Sequence, residues 1–307
     1  MAKSKLSAPP ESPTTKLLIG ASCTWVYELC MGHYFEFIKI AKQTKPNMSY
    51  AALTREVTAQ KGVIGILDGF FPWGTLQAVF KGSVFAFAHA GAKSALFPYS
   101  REQGGSVPNI VVETVAGGVG GGFQGLVLSP TLLLKTRVMT NPIFRNQMSM
   151  GETTAMSTKV GMEVIKTEGV SALMKGSAVF ATKRVADWGT RFLFSTLVED
   201  LLFKRGKAVQ HELTYAEKIT ASLLGGTLSA CATIPLDVMV AQIQQAGKAG
   251  QDVSVAQTFR AELRAGGWER VAGFATRGFC ARVMHVATTT ALMKTATSFV
   301  YDQVVGR

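Results

Sequence analysis

Several side chains that can carry positive charge lie inside long apolar segments of this chain. They are Lys81, Lys183, Arg184, Arg277 and His285. A charge at the depth of a bilayer centre is costly in lipid, so such residues by default mark a water-filled site. Several cations with few acids favour an anion bearing two or three carboxylates, since arginine can hold a carboxylate through two hydrogen bonds. For any one of them the alternative is a snorkelling side chain or a structural ion pair.

Other chemistries find no support in the residue pattern. The four histidines show no metal-ligand spacing, and no Ser/His/Asp or Cys/His set can be assembled, so we expect no enzyme, metal site or organic cofactor. The run from Gly120 to Gly125 matches G-x-G-x-x-G but lies inside an apolar segment, so we interpret it as a helix-packing seam and not as a dinucleotide site. The net charge of +12 lacks a nucleic-acid-binding motif and favours anionic membrane lipid as the partner.

The elements that must position these cations are six apolar segments. Only 17% of the 307 residues are charged, whereas soluble domains have about a quarter. Each segment is long enough to cross a bilayer, which takes about 20 helical residues. The segments lie near 17–38, 70–92, 108–134, 177–202, 215–241 and 277–300. The sequence therefore predicts an all-α membrane protein with six transmembrane helices.

Pairs of glycines seven residues apart recur three times, each before an even-numbered apolar segment. They are Gly62 and Gly69, Gly169 and Gly176, and Gly266 and Gly273. A period kept three times indicates one unit used three times, each unit with a short amphipathic helix, near 49–60, 153–167 and 254–265. We expect one domain of three pseudo-symmetric repeats, at 16–100, 101–205 and 206–307, after a polar tail at 1–15.

The second glycine of each pair provides a common origin for the even-numbered helices. Steps of four residues from that glycine trace one face of each helix. The faces are Trp73, Gln77, Lys81 and Phe85; then Phe180, Arg184 and Trp188, with Lys183 beside them; then Arg277, Ala281 and His285. In this register Lys81 and His285 are equivalent, and each face carries a cation.

The ends of the odd-numbered segments also correspond to one another. They run from Tyr34 to Lys39, from Pro130 to Lys135 and from Pro235 to Val240. Together they resemble the three P-x-[DE]-x-x-[KR] signatures of the mitochondrial carrier family, and the resemblance covers about residues 15–305. It implies a three-fold bundle around a central cavity in the mitochondrial inner membrane. It also implies short helices on the matrix side, both termini on the intermembrane-space side, and alternating access between two gates.

The resemblance implies a matrix gate in which the acid of one signature pairs with the base of the next. The implied pairs are Glu36 with Lys135, Asp237 with Lys39, and Leu132 with Val240. Loss of one partner would leave an uncompensated charge at a cost of about 3–5 kcal/mol, whereas loss of both leaves an apolar contact. We therefore expect a gate with two polar links and one apolar link. The alternative is a frozen gate in a protein that no longer transports.

In the family, an aromatic–basic–glycine step opens each even-numbered helix, where cardiolipin binds. Here the steps read Leu67-Asp68-Gly69, Met174-Lys175-Gly176 and Ala272-Gly273. Helix N-terminal amides bind phosphate whatever the side chain, so the resemblance implies bound cardiolipin at Gly69, Gly176 and Gly273. On the opposite face, Tyr301 and Asp302 are followed by Val305 where the family has a basic residue, so we expect a weak outer gate.

Within the family, the chain resembles carriers of citrate and 2-oxoglutarate, most strongly from Asp187 to Phe192. Carried over by position, the substrate-binding residues are Gln77, Lys81, Phe85, Lys183, Arg184, Arg277 and His285. The resemblance thus implies a transporter that exchanges anionic di- and tricarboxylates. Because both gates depart from the family pattern, a second hypothesis stands beside it: a carrier fold serving as a structural accessory subunit of a large respiratory-chain complex.

Overall fold

A computed structural model describes residues 13–204, 213–248, 255–292 and residue 300. This part of the chain is almost entirely helical and has no β-strand, only one bridge between Ser100 and Val107. Its α-helices are α1 Pro13–Tyr27, α2 His33–Thr44, α3 Tyr50–Lys61, α4 Thr75–Leu96, α5 Asn109–Thr140, α6 Met150–Glu168, α7 Ser177–Val198, α8 Tyr215–Lys248, α9 Val255–Ala275 and α10 Phe279–Ala291. The prediction of an all-α fold is confirmed. The predicted outer-gate residues 301–305 and most of the 1–15 tail lie outside the described residues.

Three of the described segments are long and apolar enough to cross a membrane. They are Val63–Tyr99, Asn109–Thr140 and Tyr215–Val238, which contain α4, α5 and most of α8. Helix α7 occupies the predicted fourth segment, but its apolar run is interrupted by Lys183, Arg184, Asp187 and Arg191. Six spans therefore remain a prediction, and three segments fulfil it by length and composition.

The predicted first segment is a nearly continuous helix with one wider turn. Helices α1 and α2 are joined by the π-helical turn Glu28–Gly32, in which the His33 amide donates to the Glu28 carbonyl. A Cβ at Gly32 would lie 2.6 Å from Glu28 Oε2, so only glycine leaves that carboxylate its place. The turn directs Glu28 inward, where it is only 4% exposed.

Helices α5 and α7 approach each other along glycines spaced four apart. A Cβ added at Gly117, Gly121 or Gly125 would lie within 3.0 Å of atoms of α7. In a membrane, where apolar burial gives little drive for helix association, such close backbone approach holds helices together. The packing interpretation of this glycine-rich run is confirmed.

The two short helices α3 and α6 begin and end at recognisable residues. The Ser49 hydroxyl accepts from the Ala52 amide at the start of α3. Ser149 and Glu152 form a reciprocal capping box at the start of α6. Gly62 and Gly169 end these helices with φ of +69° and +80°. They match the short helices predicted near 49–60 and 153–167, and the third corresponds to the part of α9 before its non-helical residues Gly266 and Gly267.

We call the polar stretch between the two apolar segments of each predicted repeat its linker, numbered from the first to the third. The predicted glycine pair of the third linker is wrong. The left-handed glycines that precede α4, α7 and α10 are Gly69, Gly176 and Gly278, with φ of +80°, +79° and +81°. Gly273 instead lies within α9, and the pair in this linker is Gly267 and Gly278. Spacing alone could not choose among four nearby glycines, since the choice depends on which residue takes the left-handed conformation that L side chains resist. Positions along α10 therefore count from Gly278, five residues later than predicted.

Candidate functional site

A polar cavity of about 120 Å³ lies among α2, α4, α5, α7, α8 and α10. A single water needs roughly 10–15 Å³ of such space, so the cavity admits several waters or a small anion. Cations outnumber carboxylates among its described lining residues. The cations are Lys39, Lys81, Lys183, Arg184, Arg191 and Arg282, and the carboxylates are Glu28, Glu36 and Asp237.

Five of the seven predicted substrate-binding residues line this cavity: Gln77, Lys81, Lys183, Arg184 and His285. Phe85 is absent from the lining, but its ring stacks at 4.0 Å between centroids on a lining residue, Trp188. Arg277 is also absent from the lining, where Arg282 is found instead.

The replacement of Arg277 by Arg282 follows from the corrected register of α10. Arg282 comes four residues after Gly278, as Phe180 comes four after Gly176, and both line the cavity. Arg277 directly precedes Gly278, so it occupies the basic position of the glycine step, as Lys175 does before Gly176. The prediction that His285 and Lys81 are equivalent is also wrong, although both face the cavity.

Lys81 is neutralised by an acid that the sequence reasoning missed. Its ammonium donates a hydrogen bond to Glu28 Oε1, and both residues are buried. Gln124 fixes the backbone beside it, because its Nε2 donates to the Lys81 carbonyl at 2.6 Å and its Oε1 accepts from Trp188 Nε1 at 3.1 Å. Glu28 could have been flagged by the rule that flagged the cations, since it is a charge within an apolar segment.

Two further cations and two acids form a closed ring on α7, α8 and α10. Arg282 Nη2 donates to Asp187 Oδ1 at 2.7 Å, and its Nε lies 2.9 Å from Asp237 Oδ2 without hydrogen-bond alignment. Lys183 Nζ lies 3.4 Å from Asp187 Oδ2 and contacts Asp237 Oδ1. All four residues are under 9% exposed. We call Lys183, Asp187, Asp237 and Arg282 the charge ring.

Arg184 and Arg191 do not belong to the charge ring, although they lie on α7, the helix that supplies Lys183 and Asp187. Neither has an ion-pair partner in the part of the chain that the structure describes, and the Nε atom of each is buried without a hydrogen bond. Aromatic rings flank them: Arg184 lies 5.4 Å from the Phe180 centroid and Arg191 lies 4.7 Å from that of Trp188. These two guanidinium groups are available to an anion in the cavity.

The structure brings together both polar pairs of the predicted matrix gate. Lys135 Nζ donates to Glu36 Oε2 at 2.5 Å, and Lys39 Nζ lies 3.7 Å from Asp237 Oδ2. Asp237 is thus shared between Lys39 and the charge ring. Leu132 lines the cavity, whereas the side chain of Val240, its predicted partner, lies outside the described set.

A second buried cluster joins the first linker to the second, away from the cavity. Lys61 Nζ donates to Asp68 Oδ1 at 2.7 Å, to the Phe144 carbonyl at 2.9 Å and to Thr153 Oγ1 at 2.9 Å. Arg145 Nη1 donates to Asp68 Oδ2 at 3.0 Å. The acid that breaks the basic pattern at Asp68-Gly69 therefore has two cationic partners. We call Lys61, Asp68, Arg145 and Thr153 the linker clamp.

Toward the opposite face, two small charge clusters lie among the described residues: Glu113 with Lys93 and His89, and Lys204 with Asp200 and Glu199. Lys93 Nζ donates to Glu113 Oε1 at 2.5 Å, and Lys204 Nζ donates to Asp200 Oδ1 at 3.0 Å. No group of three His, Cys, Asp or Glu within the described ranges could hold a metal ion.

Comparison with known proteins agrees with this geometry. The family model described as mitochondrial carrier protein matches residues 106–206 and 211–306. The chain belongs to the mitochondrial carrier family. It is 30% identical over 233 residues to the citrate/oxoglutarate carrier protein of Saccharomyces cerevisiae. The aligned segment covers 75% of this chain and 71% of that protein. Members of this family are multi-pass transporters of the mitochondrial inner membrane, not enzymes.

Proposed function

We propose that this chain exchanges anionic di- and tricarboxylates of the citrate and 2-oxoglutarate type across the inner membrane by alternating access. The observation that carries the proposal is the pair of cavity arginines, Arg184 and Arg191, that have no carboxylate partner among the described residues. Arginine binds a carboxylate through two parallel hydrogen bonds. Similarity to a citrate/oxoglutarate carrier protein supports the same substrate class.

The charge of the cavity favours substrates with more than one carboxylate. When the ion-pair partners Lys135 and Asp187 are included with the lining residues, seven cations stand against four carboxylates. An excess of three positive charges in a poorly screened site attracts a multiply charged anion. A neutral substrate would leave this excess uncompensated.

Reconstitution into liposomes tests the proposal. Vesicles loaded with citrate should take up labelled citrate or 2-oxoglutarate, and Arg184→Ala or Arg191→Ala should reduce this exchange by at least tenfold, because each variant removes a cavity cation. Arg137→Ala is the matched control, since Arg137 pairs with Glu168 at the surface and does not line the cavity, and we expect it to retain exchange. A wild type that exchanges no carboxylate in a panel of di- and tricarboxylates would refute the proposal.

The proposed architecture has six spans in three repeats at 16–100, 101–205 and 206–307, after a tail at 1–15, with both termini facing the intermembrane space. In it, Glu36 with Lys135 and Lys39 with Asp237 close the matrix side, and Leu132 with Val240 forms an apolar link. The joint variant Leu132→Asp with Val240→Lys would restore a third ionic pair. If the gate works, exchange by this variant should slow, because the closed state gains an ion pair.

Cardiolipin is the proposed bound lipid, at the N-terminal amides that follow Gly69, Gly176 and Gly278. The last of these replaces Gly273, which lies within α9. Lys175 and Arg277 supply a cation directly before the second and third glycine, whereas the first has Asp68. Lipid co-purification with Lys175→Glu and Arg277→Glu variants would test the two basic sites, since each change should lower the bound cardiolipin.

A second candidate function is that of a carrier fold serving as an accessory subunit of a respiratory-chain complex. The linker clamp favours it, because a buried ion pair that ties two linkers together opposes their separation on the matrix side. Native electrophoresis after mild detergent extraction separates the two. Co-migration with a large complex, combined with no carboxylate exchange in liposomes, would favour the subunit, and migration at the carrier's own mass would count against it.

A further inference from the structure

The charge ring contains one member that does not line the cavity. Lys183, Asp237 and Arg282 are lining residues, whereas Asp187 lies behind them with 0% exposure. Asp187 therefore touches nothing inside the cavity directly, and it acts there through the residues it holds and through its charge. Its strongest contact is to Arg282 Nη2 at 2.7 Å, and Lys183 Nζ lies at 3.4 Å.

The cations of helix α7 fall into two groups, one paired with buried acids and one not. Lys183 precedes Asp187 by one helical turn and is paired with it. Arg184 and Arg191 also lie on α7 and line the cavity, but they have no carboxylate partner among the described residues. Asp187 and Asp237 of α8 thus neutralise Lys183 together, whereas Arg184 and Arg191 remain for a ligand.

We propose that Asp187 is a positioning residue that sets how many carboxylates the preferred substrate carries. It holds Arg282 and Lys183 in the cavity wall and lowers the positive charge around the cavity by one. The inference rests on the proposed function, and it adds the residue that tunes the charge of the substrate. Because Asp187 is fully buried, its charge is poorly screened by water, and its removal acts on any anion in the cavity.

Two acids that differ by a single carboxylate make the charge preference measurable. Tricarballylate is glutarate with one more carboxylate on its central carbon. Their affinities can be obtained from the concentration dependence of thermal stabilisation of the purified protein in detergent, at a pH where all carboxylates are ionised. The readout is the ratio of the two affinities, which a loss of packing that weakens both ligands equally leaves unchanged.

Asp187→Asn should raise the preference for tricarballylate over glutarate by about tenfold, because one more cavity charge attracts the additional carboxylate. Asp187→Glu should keep the wild-type ratio, since it keeps the charge. Asp200→Asn is the matched control: Asp200 also pairs with a lysine four residues away, at 3.0 Å, but it lies outside the cavity. It should leave the ratio unchanged.

An unchanged ratio in folded Asp187→Asn protein would overturn the inference. If that variant does not fold, the double variant Asp187→Asn with Lys183→Gln removes one charge of each sign, and its ratio should remain within about twofold of wild type. A larger change there would also overturn it. If neither acid stabilises the wild type, the proposed function fails instead, so the two failures are distinguishable.

Discussion

The first and second linkers use the same two positions with opposite charges. Each position directly precedes a left-handed or helix-ending glycine, and the two are seven residues apart: Lys61 and Asp68 in the first linker, Glu168 and Lys175 in the second. The first pair is buried, at 1% and 0% side-chain exposure, with its charged atoms 2.7 Å apart. The second pair is 3.3 Å apart, and Lys175 is 70% exposed.

The difference between these linkers lies in what surrounds the pair. In the linker clamp, Arg145 and Thr153 from the second linker complete the coordination of Asp68 and Lys61. In the second linker, Glu168 is held by Arg137 of the preceding helix, and that contact stays at the surface. The same two sequence positions thus carry an ion pair in both linkers, and burial determines whether the pair ties the two linkers together or remains solvated.

Removing one acid from each linker should give the largest contrast. Asp68→Ala leaves Lys61 buried without its carboxylate, which should cost about 3–5 kcal/mol of stability. Glu168→Ala removes a surface partner and should cost less than about 1 kcal/mol. Thermal unfolding of both variants in the same detergent measures the difference. Equal losses would show that the buried pair is no tighter than the exposed one.

Gly69 and Gly176, which directly follow Asp68 and Lys175 in the two linkers, offer a second contrast. Both take a left-handed conformation, which should cost an alanine about 1–2 kcal/mol. A Cβ at Gly69 would also lie 2.8 Å from the Lys135 carbonyl, whereas at Gly176 nothing described lies within 4 Å. Gly69→Ala should therefore lose a further 1–3 kcal/mol, roughly the cost of overpacking. Parallel melting curves of the two alanine variants check this, and a larger loss at Gly176 would contradict it.

Two adjacent threonines at the start of α6 test the contribution of the linker clamp more gently. Thr153 Oγ1 accepts a hydrogen bond from Lys61 at 2.9 Å, while the Thr154 hydroxyl donates to the Met150 carbonyl one turn before it. Thr153→Val should cost about 1.5–3 kcal/mol, the range for a hydrogen bond to a charged group. Thr154→Val should be close to neutral. Denaturation of the two isosteric variants is the measurement, and matching values would exclude the clamp contact as a stabilising one.

The smallest expected effect is a dependence of stability on pH through Glu168 in the second linker. Hydrogen bonds from Arg137, with a further one from Lys175, lower the pKa of Glu168 from 4.5 to about 2. A depressed carboxyl pKa contributes stability that is present above pH 4.5 and is lost as the pH falls toward 2. The effect should be slight because the pair is exposed and screened. Glu168→Gln should flatten the stability profile in this window, and an unchanged profile would refute the assignment.

The sequence was sufficient for features that depend on local pattern. The helices and the short linker helices follow from periodicity, and the pairs of Glu36 with Lys135 and Lys39 with Asp237 follow from the resemblance of the signatures to the carrier family. It was insufficient where three-dimensional choice matters. Which of four glycines opens α10 depends on backbone conformation, so Arg282 was missed and Arg277 was named instead. Lys183 was expected to be available to substrate, but Asp187 and Asp237 approach it only in the fold.

The close backbone contact between α5 and α7 has a mechanical consequence. Helices that pack this closely at Gly117, Gly121 and Gly125 have little room to shift relative to each other, so they should move as one rigid unit. Arg184 of α7 lines the cavity, and Lys135 lies toward the C-terminal end of α5. Binding of an anion to Arg184 would therefore be transmitted to Lys135 through the packed backbones of the two helices, without a relay of side chains.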